Sequence, residues 1–191
     1  MTETWTRLRA SALDAVGALK ELLADPGAED RRLVAGYLEA KQALAHAFEA
    51  FAVEKYADVS VLEGVKKDIE QQMREGYPRL PAKYLKVRGF GKSHARLVAY
   101  LVRSAGNEVS ASELRMLTGD AVHTERRARE LRDLGFALEA KHTGGTDVYL
   151  LRSAEPDVAA GAAIQVAQNI RGDRSLSQAQ AAGLLRSAGL A

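Results

Sequence analysis

Apolar residues recur at helical spacing through almost all of the first 75 residues of this chain. From Trp5 to Leu22 the apolar positions alternate in steps of three and four, and Asp25-Pro-Gly27 ends the segment. Similar patterns predict a longer helix over 29–56 and a third over 60–74. The predicted stripe of the longer helix is Leu33, Tyr37, Leu44, Phe48 and Phe51, with Val34, Leu38 and Ala47 beside it. Long amphipathic helices with short connections predict a helical bundle or hairpin, so the expected fold class is mostly α. The first stripe also permits pairing with a second copy of the chain, and we weigh this equally with core packing inside one chain.

The composition is that of a soluble globular chain. Of the 191 residues, 47% are hydrophobic and 27% are charged, which suits one compact domain or two small ones. The absence of cysteine excludes disulfides, thiol catalysis and cysteine-rich zinc sites, and it fits a reducing cytoplasm. No apolar run reaches the ~18 residues of a transmembrane helix, and residues 1–5 do not resemble a signal peptide. We therefore expect a cytoplasmic protein with no membrane contact, no cofactor and no bound metal.

Positive charge is concentrated in one part of the chain. The whole sequence has a net charge of only +2, yet residues 71–104 contain eight Lys or Arg and a single acidic residue, Glu75. Such a block predicts a polyanionic partner, with a hydrated surface loop as the alternative. Prolines and glycines between 76 and 92 favour an extended, turn-rich linker. We expect four basic side chains of this linker to contact phosphate, namely Lys83, Lys86, Arg88 and Lys92.

The second half of the chain changes from long helices to short elements. The expected order is a helix (94–104), a short helix (113–117), a tight turn (118–121), a third helix (124–134) and two strands (136–141 and 147–152). Gly144-Gly145 lies between the strands and is a hairpin signal. This is the element order of a winged helix-turn-helix, with the hairpin as its two-stranded wing. Two further helices, over 158–170 and 177–186, are small-residue rich, which favours packing or dimerisation over a second DNA-reading unit.

These observations divide the chain into four regions. The expected boundaries are an N-terminal helical packing or oligomerisation region at 1–75, a basic linker at 76–92, a winged helix-turn-helix at 93–153 and a C-terminal helical extension at 154–191.

Four arginines lie within seven positions of the predicted third helix, in the run ERRARELRDLGF over 125–136. On a helical wheel centred on Leu131, Arg126 and Arg129 point away from the buried side, Glu125 and Arg132 flank them, and Arg127 lies at the core edge. A surface helix with i,i+4 Glu–Arg pairs is the plainer reading. The winged order and the basic segment before it favour DNA contact instead. The predicted DNA-binding set of this region is Thr124, Glu125, Arg126, Arg129 and Arg132 on the helix, with Lys141 and His142 at the base of the wing.

The same stretch also resembles a known kind of domain. Residues Glu113-Leu-Arg115, Gly119 and the run from Arg126 to Glu139 are similar to the winged-helix domain of many actinobacterial and other bacterial restriction-type endonucleases. In those proteins an Arg-Arg-x-Arg-Glu-Leu-Arg-Asp-x-Gly-aromatic run forms the third helix and enters the wing, and Tyr149-Leu-Leu-Arg152 resembles the end of that wing. The resemblance covers about 94–153. It implies binding of double-stranded DNA, whereas the nuclease portion of those proteins lies outside this module.

The sequence contains no recognisable nuclease site. The histidines at 46, 94, 123 and 142 do not form the pattern of an HNH nuclease. Glu139-Ala-Lys141 matches half of a Mg²⁺-dependent Glu-x-Lys motif, with Asp133 before it, and Glu39-Ala-Lys41 is a second copy within a helix; we interpret both as coincidence. Gly89-Phe-Gly-Lys-Ser93 lacks the first glycine of a phosphate-binding loop, because position 86 is Lys. We therefore assign no catalytic and no metal-binding residue.

The sequence thus predicts a DNA-binding protein that acts as a transcription regulator or as a recognition component of a restriction or phage-defence system, with the second favoured slightly by the resemblance. We expect a homodimer and regard enzymatic activity as the less favoured reading. Two alternatives stay open. One is a Mg²⁺-dependent restriction-type endonuclease with an unrecognised site. The other is an assembly subunit in which the winged helix contacts a protein partner of a defence complex.

Overall fold

The computed structural model describes residues 3–56 and 58–190. The chain is mostly helical, with about 66% of its residues in helices, and it contains one small three-stranded antiparallel sheet. Backbone contacts divide it into two compact units: the first is formed by the residues up to 57 with 112–124, and the second by 58–111 with 125–191. Within the described ranges, no helix is both long and apolar enough to span a bilayer.

The first unit is built on a helical hairpin of α1 (Glu3–Ala24) and α2 (Asp30–Tyr56), as the sequence predicts. The helices run antiparallel, since Trp5 contacts the rings of Phe48 and Phe51 near the far end of α2. Small residues line the seam between them, and a Cβ atom added to Gly36 would lie 2.7 Å from Leu22 Cδ1. The buried side chains of the hairpin are Ala12, Ala40, Ala47 and Ala52.

This alanine seam changes the expected role of the larger apolar residues of α2. The apolar stripe predicted for α2 includes Tyr37 and Phe48, with Val34 and Leu38 beside it, yet these side chains are 55%, 43%, 58% and 56% exposed. The physical reason is that alanines on the neighbouring face let the two backbones approach closely, which turns the larger side chains outward. The α1 stripe from Trp5 to Leu22, in contrast, is buried or half-buried along its length.

The first unit also contains most of α5 (Ala111–Leu117) and the turn that follows it. The Thr118 and Thr124 hydroxyl oxygens lie 2.6 Å apart, and Thr124 Oγ1 also donates to the carbonyl oxygen of Ala121 at 2.8 Å. Asp120 and His123 both have positive φ, so the turn contains two left-handed residues that are not glycine. The hydroxyl of Thr124 is therefore bound to the turn rather than to a free N–H of the next helix.

The second unit has a helical core. Its helices are α3 (Val59–Gly76), α4 (Lys92–Arg103), α6 (Thr124–Glu130), α7 (Val158–Arg171) and α8 (Gln178–Ser187). The helix predicted over 124–134 is thus α6 followed by a 3₁₀ turn at Leu131–Leu134. Fully or almost fully buried aliphatic side chains come from each of the larger elements: Leu62, Ile69, Met73, Leu97, Leu101, Leu131, Leu134, Val166 and Ile170.

The sheet contains β1 (Glu108–Ser110), β2 (Leu138–Thr143) and β3 (Thr146–Leu151), in the order β1-β3-β2 with both pairs antiparallel. The two strands predicted from the sequence are β2 and β3, whereas β1 was not expected. Thr143 pairs with Thr146, and the two residues between them, Gly144 and Gly145, have φ values of +59° and +79°. Two successive left-handed residues define the tight hairpin that the glycine pair predicts.

Helix α7 is part of the core of the second unit. Its N-cap residue, Asp157, donates its N–H to the carbonyl of Gly135 at 2.9 Å, and Gly135 has a φ of +83°. A Cβ atom at Gly135 would lie 2.0 Å from Asp157 O, so only glycine fits this close approach. Gln165, which is 2% exposed, donates from Nε2 to the carbonyl of Asp133 at 3.1 Å. The predicted helical nature of the C-terminal residues is confirmed.

Candidate nucleic-acid interface

Helix α6 presents a buried side and a charged outer side. Ala128, Leu131 and Leu134 are 0–2% exposed, which places them on the buried stripe that the helical wheel predicts. Arg126 and Arg129 are exposed on the other side, and the side chain of Arg126 is 73% exposed. Two outward guanidinium groups one turn apart can bind phosphate or a guanine edge.

One edge of α6 is joined to the start of α4 through Glu130. His94 Nε2 lies 3.1 Å from Glu130 Oε2, and Arg126 Nε donates to Glu130 Oε1 at 2.9 Å. The backbone N–H of Gly91 donates to His94 Nδ1, so Nε2 is the ring nitrogen that donates to the carboxylate. Desolvation raises the pKa of Glu130, but the hydrogen bonds from His94 and Arg126 outweigh it, and the pKa is lowered. Glu130 therefore stays ionised and fixes the position of Arg126.

The other edge of α6 faces the hairpin of β2 and β3. Arg132 Nε donates to the carbonyl of Leu138 at 2.6 Å, which ties the end of the helix to β2. Burial raises the pKa of the Tyr149 hydroxyl, which is also influenced by the charges of Arg129, Glu125, Asp147 and Arg132. Charged side chains of α6, of its 3₁₀ turn and of β3 therefore lie near enough to Tyr149 to act on the pKa of its hydroxyl.

The hairpin contains the two residues predicted at the base of the wing, and each faces a carboxylate. His142 Nδ1 lies 2.7 Å from Asp147 Oδ1, and both side chains are more than half exposed. Lys141 Nζ lies 3.7 Å from Glu139 Oε2. Both residues remain exposed beside the Gly144-Gly145 turn, so their polar groups can reach a ligand on the outer side of the hairpin.

The basic segment before α4 is attached to α7. Tyr84 is 3% exposed, and its hydroxyl donates to Asp173 Oδ2 at 2.7 Å. Lys83 Nζ lies 2.6 Å from the same oxygen, and this hydrogen bond raises the pKa of Lys83. Asn169 Nδ2 donates to the carbonyls of Tyr84 and Lys86, at 3.0 and 2.8 Å. The charge of Lys83 is therefore already compensated within the protein.

The other three basic residues of the predicted phosphate-contacting set are Lys86, Arg88 and Lys92, and all are exposed. Arg88 Nη2 donates to the carbonyl of Lys83 at 3.0 Å, while Lys92 is the first residue of α4. The ring of Phe90 packs edge-on against that of His94, with centroids 5.1 Å apart. Because His94 also contacts Glu130, the end of the basic segment lies beside α6.

The predicted site residues therefore fall into two groups. The first group lies around α6, with the hairpin on one side and the end of the basic segment on the other; its members are Glu125, Arg126, Arg129 and Arg132. The second group is not available to a ligand. It includes Thr124, which is 0% exposed with its hydroxyl bonded to the preceding turn and cannot contact a nucleic acid in this conformation. The sequence did not reveal that His94, Glu130 and Asp173 hold these elements in place, since each contacts a residue 36 or more positions away. The pairing of Arg126 with Glu130, in contrast, is one of the i,i+4 Glu–Arg pairs that the sequence predicts.

The acidic residues of the Glu-x-Lys pattern are occupied by other groups. Arg152 donates to Glu139 through Nε at 2.7 Å and Nη2 at 2.9 Å, and this pairing lowers the pKa of Glu139. Asp133 Oδ2 accepts from Gln168 Nε2 at 2.9 Å. Among the residues that the structure describes, no group of three or more His, Cys, Asp or Glu side chains is arranged to hold a metal ion.

Comparison with known proteins links one part of the chain to a named family. No curated protein and no solved structure gave a match. Residues 94–154, about a third of the chain, match the family described as the KpnI N-terminal domain. This stretch contains most of α4 and all of β1, α5, α6 and the hairpin, and so covers most of the side chains described above. The matched region is thus similar to a restriction-related domain, in keeping with the restriction-type association expected from the sequence.

Proposed function

We propose that residues 93–153 form a winged helix-turn-helix that binds double-stranded DNA, with α6 as the recognition helix. One observation carries the proposal: Arg126 and Arg129 are exposed on the side of α6 opposite its buried stripe, within the stretch similar to the KpnI N-terminal domain. The antiparallel hairpin of β2 and β3 supports it, because the hairpin follows α6 and its 3₁₀ turn directly, in the position of the wing.

The contacts are expected to differ in kind around α6. Arg126 and Arg129 read base edges in the major groove, where a guanidinium can bind guanine O6 and N7 together. Lys86, Arg88 and Lys92 bind phosphates on one side of α6, and Lys141 and His142 bind the backbone or the minor groove on the other side. Lys83 and Thr124 are left out of this interface, because Lys83 is paired with Asp173 and Thr124 is buried.

The similarity to a restriction-related domain favours a recognition component of a restriction or phage-defence system over a transcription regulator. In this role the protein acts in the cytoplasm and distinguishes DNA by sequence or modification, without membrane contact. A transcription regulator is the second form of the same proposal, since a DNA-binding winged helix suits both a regulator and a recognition component.

Electrophoretic shift with double-stranded DNA across a salt series tests the proposal. We expect binding that weakens steeply with salt, because each neutralised phosphate releases counterions. Arg126→Ala with Arg129→Ala should abolish the preference for a selected sequence, while exposed Arg171→Ala in α7 serves as a charge-matched control. No salt-dependent binding to any duplex would refute the proposal.

A nuclease is the second candidate, and the similarity to a restriction-related domain is the observation in its favour. Incubation of plasmid with the protein and Mg²⁺ distinguishes the two, since only a nuclease yields nicked or linear products that EDTA suppresses. If the chain neither cuts nor binds DNA but associates tightly with another protein, the assembly-subunit reading replaces both.

A further inference from the structure

Helix α2 displays a continuous stripe with the spacing of a coiled coil. The stripe runs beside the seam with α1, and two of its members, Phe48 and Phe51, also contact the ring of Trp5. From Asp30 to Lys55, steps of three and four alternate without interruption, which is the heptad pattern of a helix that packs against another helix. Its central members are large, and three of them, Val34, Tyr37 and Phe48, are 58%, 55% and 43% exposed. We call this set the α2 stripe; its members are Asp30, Val34, Tyr37, Lys41, Leu44, Phe48, Phe51 and Lys55.

The surface around the α2 stripe is as large as a protein interface. In a helical-wheel projection of α1, Val16 and Leu23 lie within about 40° of Ala12, on the same side of the helix as Trp5. The Trp5 ring contacts Phe48, a member of the α2 stripe. Val16 and Leu23 therefore extend the stripe across the hairpin. A fully exposed large side chain has roughly 200 Å² of accessible surface, so the exposed fractions of the apolar residues sum to on the order of 700 Å² of exposed apolar surface. This area is close to the ~800 Å² that each partner buries in a standard interface. These residues are Val16, Leu23, Val34, Tyr37, Leu38, Leu44 and Phe48.

The α2 stripe also borders an open groove. Leu44, Ala45 and Phe48 form one wall, and Ser112, Met116 and Asp120 form the other, around a volume of about 260 Å³. This groove lies within the first unit and is lined mostly by apolar groups. It has room for one aromatic side chain, and Tyr37 stands two to three turns away on the same stripe.

We propose that the α2 stripe pairs antiparallel with the α2 stripe of a second copy of this chain, about a two-fold axis that passes between Gln42 and Ala43. In this register Tyr37 of each copy enters the groove beside Phe48 of the other. The same register places Asp30 of each copy opposite Lys55 of the other, because both pairs are centred on the same point of the sequence.

The charges of the α2 stripe favour a second copy as the occupant. One end carries an exposed acid, Asp30, and the other an exposed base, Lys55, so an antiparallel second copy neutralises both. Lys41 lies near the axis, where its aliphatic stem can pack on Leu44 of the other copy. Asp120, in the same groove as Lys41, supplies a negative charge beside the two lysines. This inference goes beyond the proposed DNA binding and does not depend on it.

The mass of the full chain in solution, measured by light scattering and sedimentation without DNA, tests the pairing. We expect a dimer at about 100 μM chain, and Tyr37→Glu should weaken dimerisation by about tenfold or more because it buries an uncompensated charge. Val53→Glu is the matched control: Val53 is 40% exposed on the same helix but lies about 160° from Tyr37 around the helix axis, so the dimer should persist. Circular dichroism confirms that each variant is folded.

A charge exchange tests the antiparallel register. Asp30→Lys and Lys55→Glu should each weaken the dimer about three- to tenfold by creating like-charge pairs, and the double variant should restore it. Both residues are exposed, so neither change removes a core contact. A monomer at all concentrations, a double variant as weak as the singles, or equal loss from Val53→Glu and Tyr37→Glu would overturn the proposal.

Discussion

His94 and Glu130 are joined by a hydrogen bond of 3.1 Å that connects the start of α4 to the end of α6. The His94 side chain is 8% exposed, while Glu130 is one-third exposed and uses its second oxygen to accept from Arg126. A single carboxylate thus connects a buried ring to Arg126, whose side chain is 73% exposed. The orientation of the proposed recognition helix and the position of one of its reading side chains depend on the same group.

The first prediction concerns the acid stability that Glu130 provides. Its pKa is lowered in the folded protein, so its stabilising effect is fully present above the pKa of an unfolded-chain Glu, about 4.3, and is lost as the pH falls through the lower folded-state value. Glu130→Gln should cost about 1 kcal/mol near neutral pH and flatten the decrease in melting temperature on acidification. Thermal unfolding at a series of pH values measures this. Glu155→Gln, at an exposed loop position, is the control, and an unchanged pH profile in Glu130→Gln would contradict the prediction.

The second prediction concerns the close approach at Gly135. Gly135→Ala places a methyl group 2.0 Å from the carbonyl oxygen of Asp157 and forces a non-glycine residue to a φ of +83°. We expect a loss of at least about 2 kcal/mol in unfolding free energy, because the start of α7 must move away. Gly64→Ala in α3, where nothing lies within 4 Å, should instead stabilise by about 0.5–1 kcal/mol. Urea unfolding of both variants gives the comparison, and similar midpoints would show that α7 is not docked this closely.

The long elements were predictable because their signals are local. Apolar periodicity located α1, α2 and α7 to within about two residues, and the Gly144-Gly145 pair predicted the hairpin turn. Strand β1 was missed since three residues are too few to show an alternating pattern. It exists because Val109 pairs with Tyr149, forty residues later.

The contacts that assemble the candidate site could not be predicted in the same way. Lys83 and Asp173 are 90 residues apart, and nothing in the sequence near either residue indicates the other. The segment expected to be a linker contains Tyr84, which is buried and donates its hydroxyl to the same Asp173, just after α7. On α2, hydrophobicity alone did not distinguish the alanine face that packs on α1 from the face of larger residues, because both are apolar.

The third prediction separates Lys83 from its basic neighbours. Lys86→Ala, Arg88→Ala and Lys92→Ala should each weaken binding to every duplex alike and reduce the salt slope by about one unit, because phosphate contacts carry no sequence information. Lys83→Ala should leave that slope unchanged and lower the melting temperature instead, since it removes the partner of Asp173. Affinities at several salt concentrations and thermal unfolding test the difference. Equal slopes for all four variants would mean that Lys83 leaves Asp173 when DNA binds.

The fourth prediction concerns the hairpin. If the Gly144-Gly145 turn follows the DNA backbone, Lys141→Ala and His142→Ala should each weaken binding several-fold, while unfolding free energy changes little because both residues are exposed. Thr143→Ala, next to the turn, is the neutral control. Unchanged affinity in the Lys141 and His142 variants would show that the hairpin does not take part in binding.

The last prediction concerns the division of roles among the arginines of α6. Arg126 and Arg129 point outward, so Arg126→Ala or Arg129→Ala should cost about 1–3 kcal/mol on a selected site and little on random DNA if either reads a guanine. Glu130→Gln frees Arg126 from its partner and should relax sequence preference more than overall affinity.

Arg127 is only partly exposed at the core edge, so Arg127→Ala should lower the melting temperature and leave selectivity intact. The measurement is a pair of affinities, selected and random, for each variant at two salt concentrations. If Arg126→Ala and Arg129→Ala behave like the variants of the basic segment, α6 binds phosphate only and sequence is read elsewhere. If neither these nor the basic-segment variants change affinity, the chain does not bind DNA through this surface, and a protein partner becomes the better account of its exposed arginines.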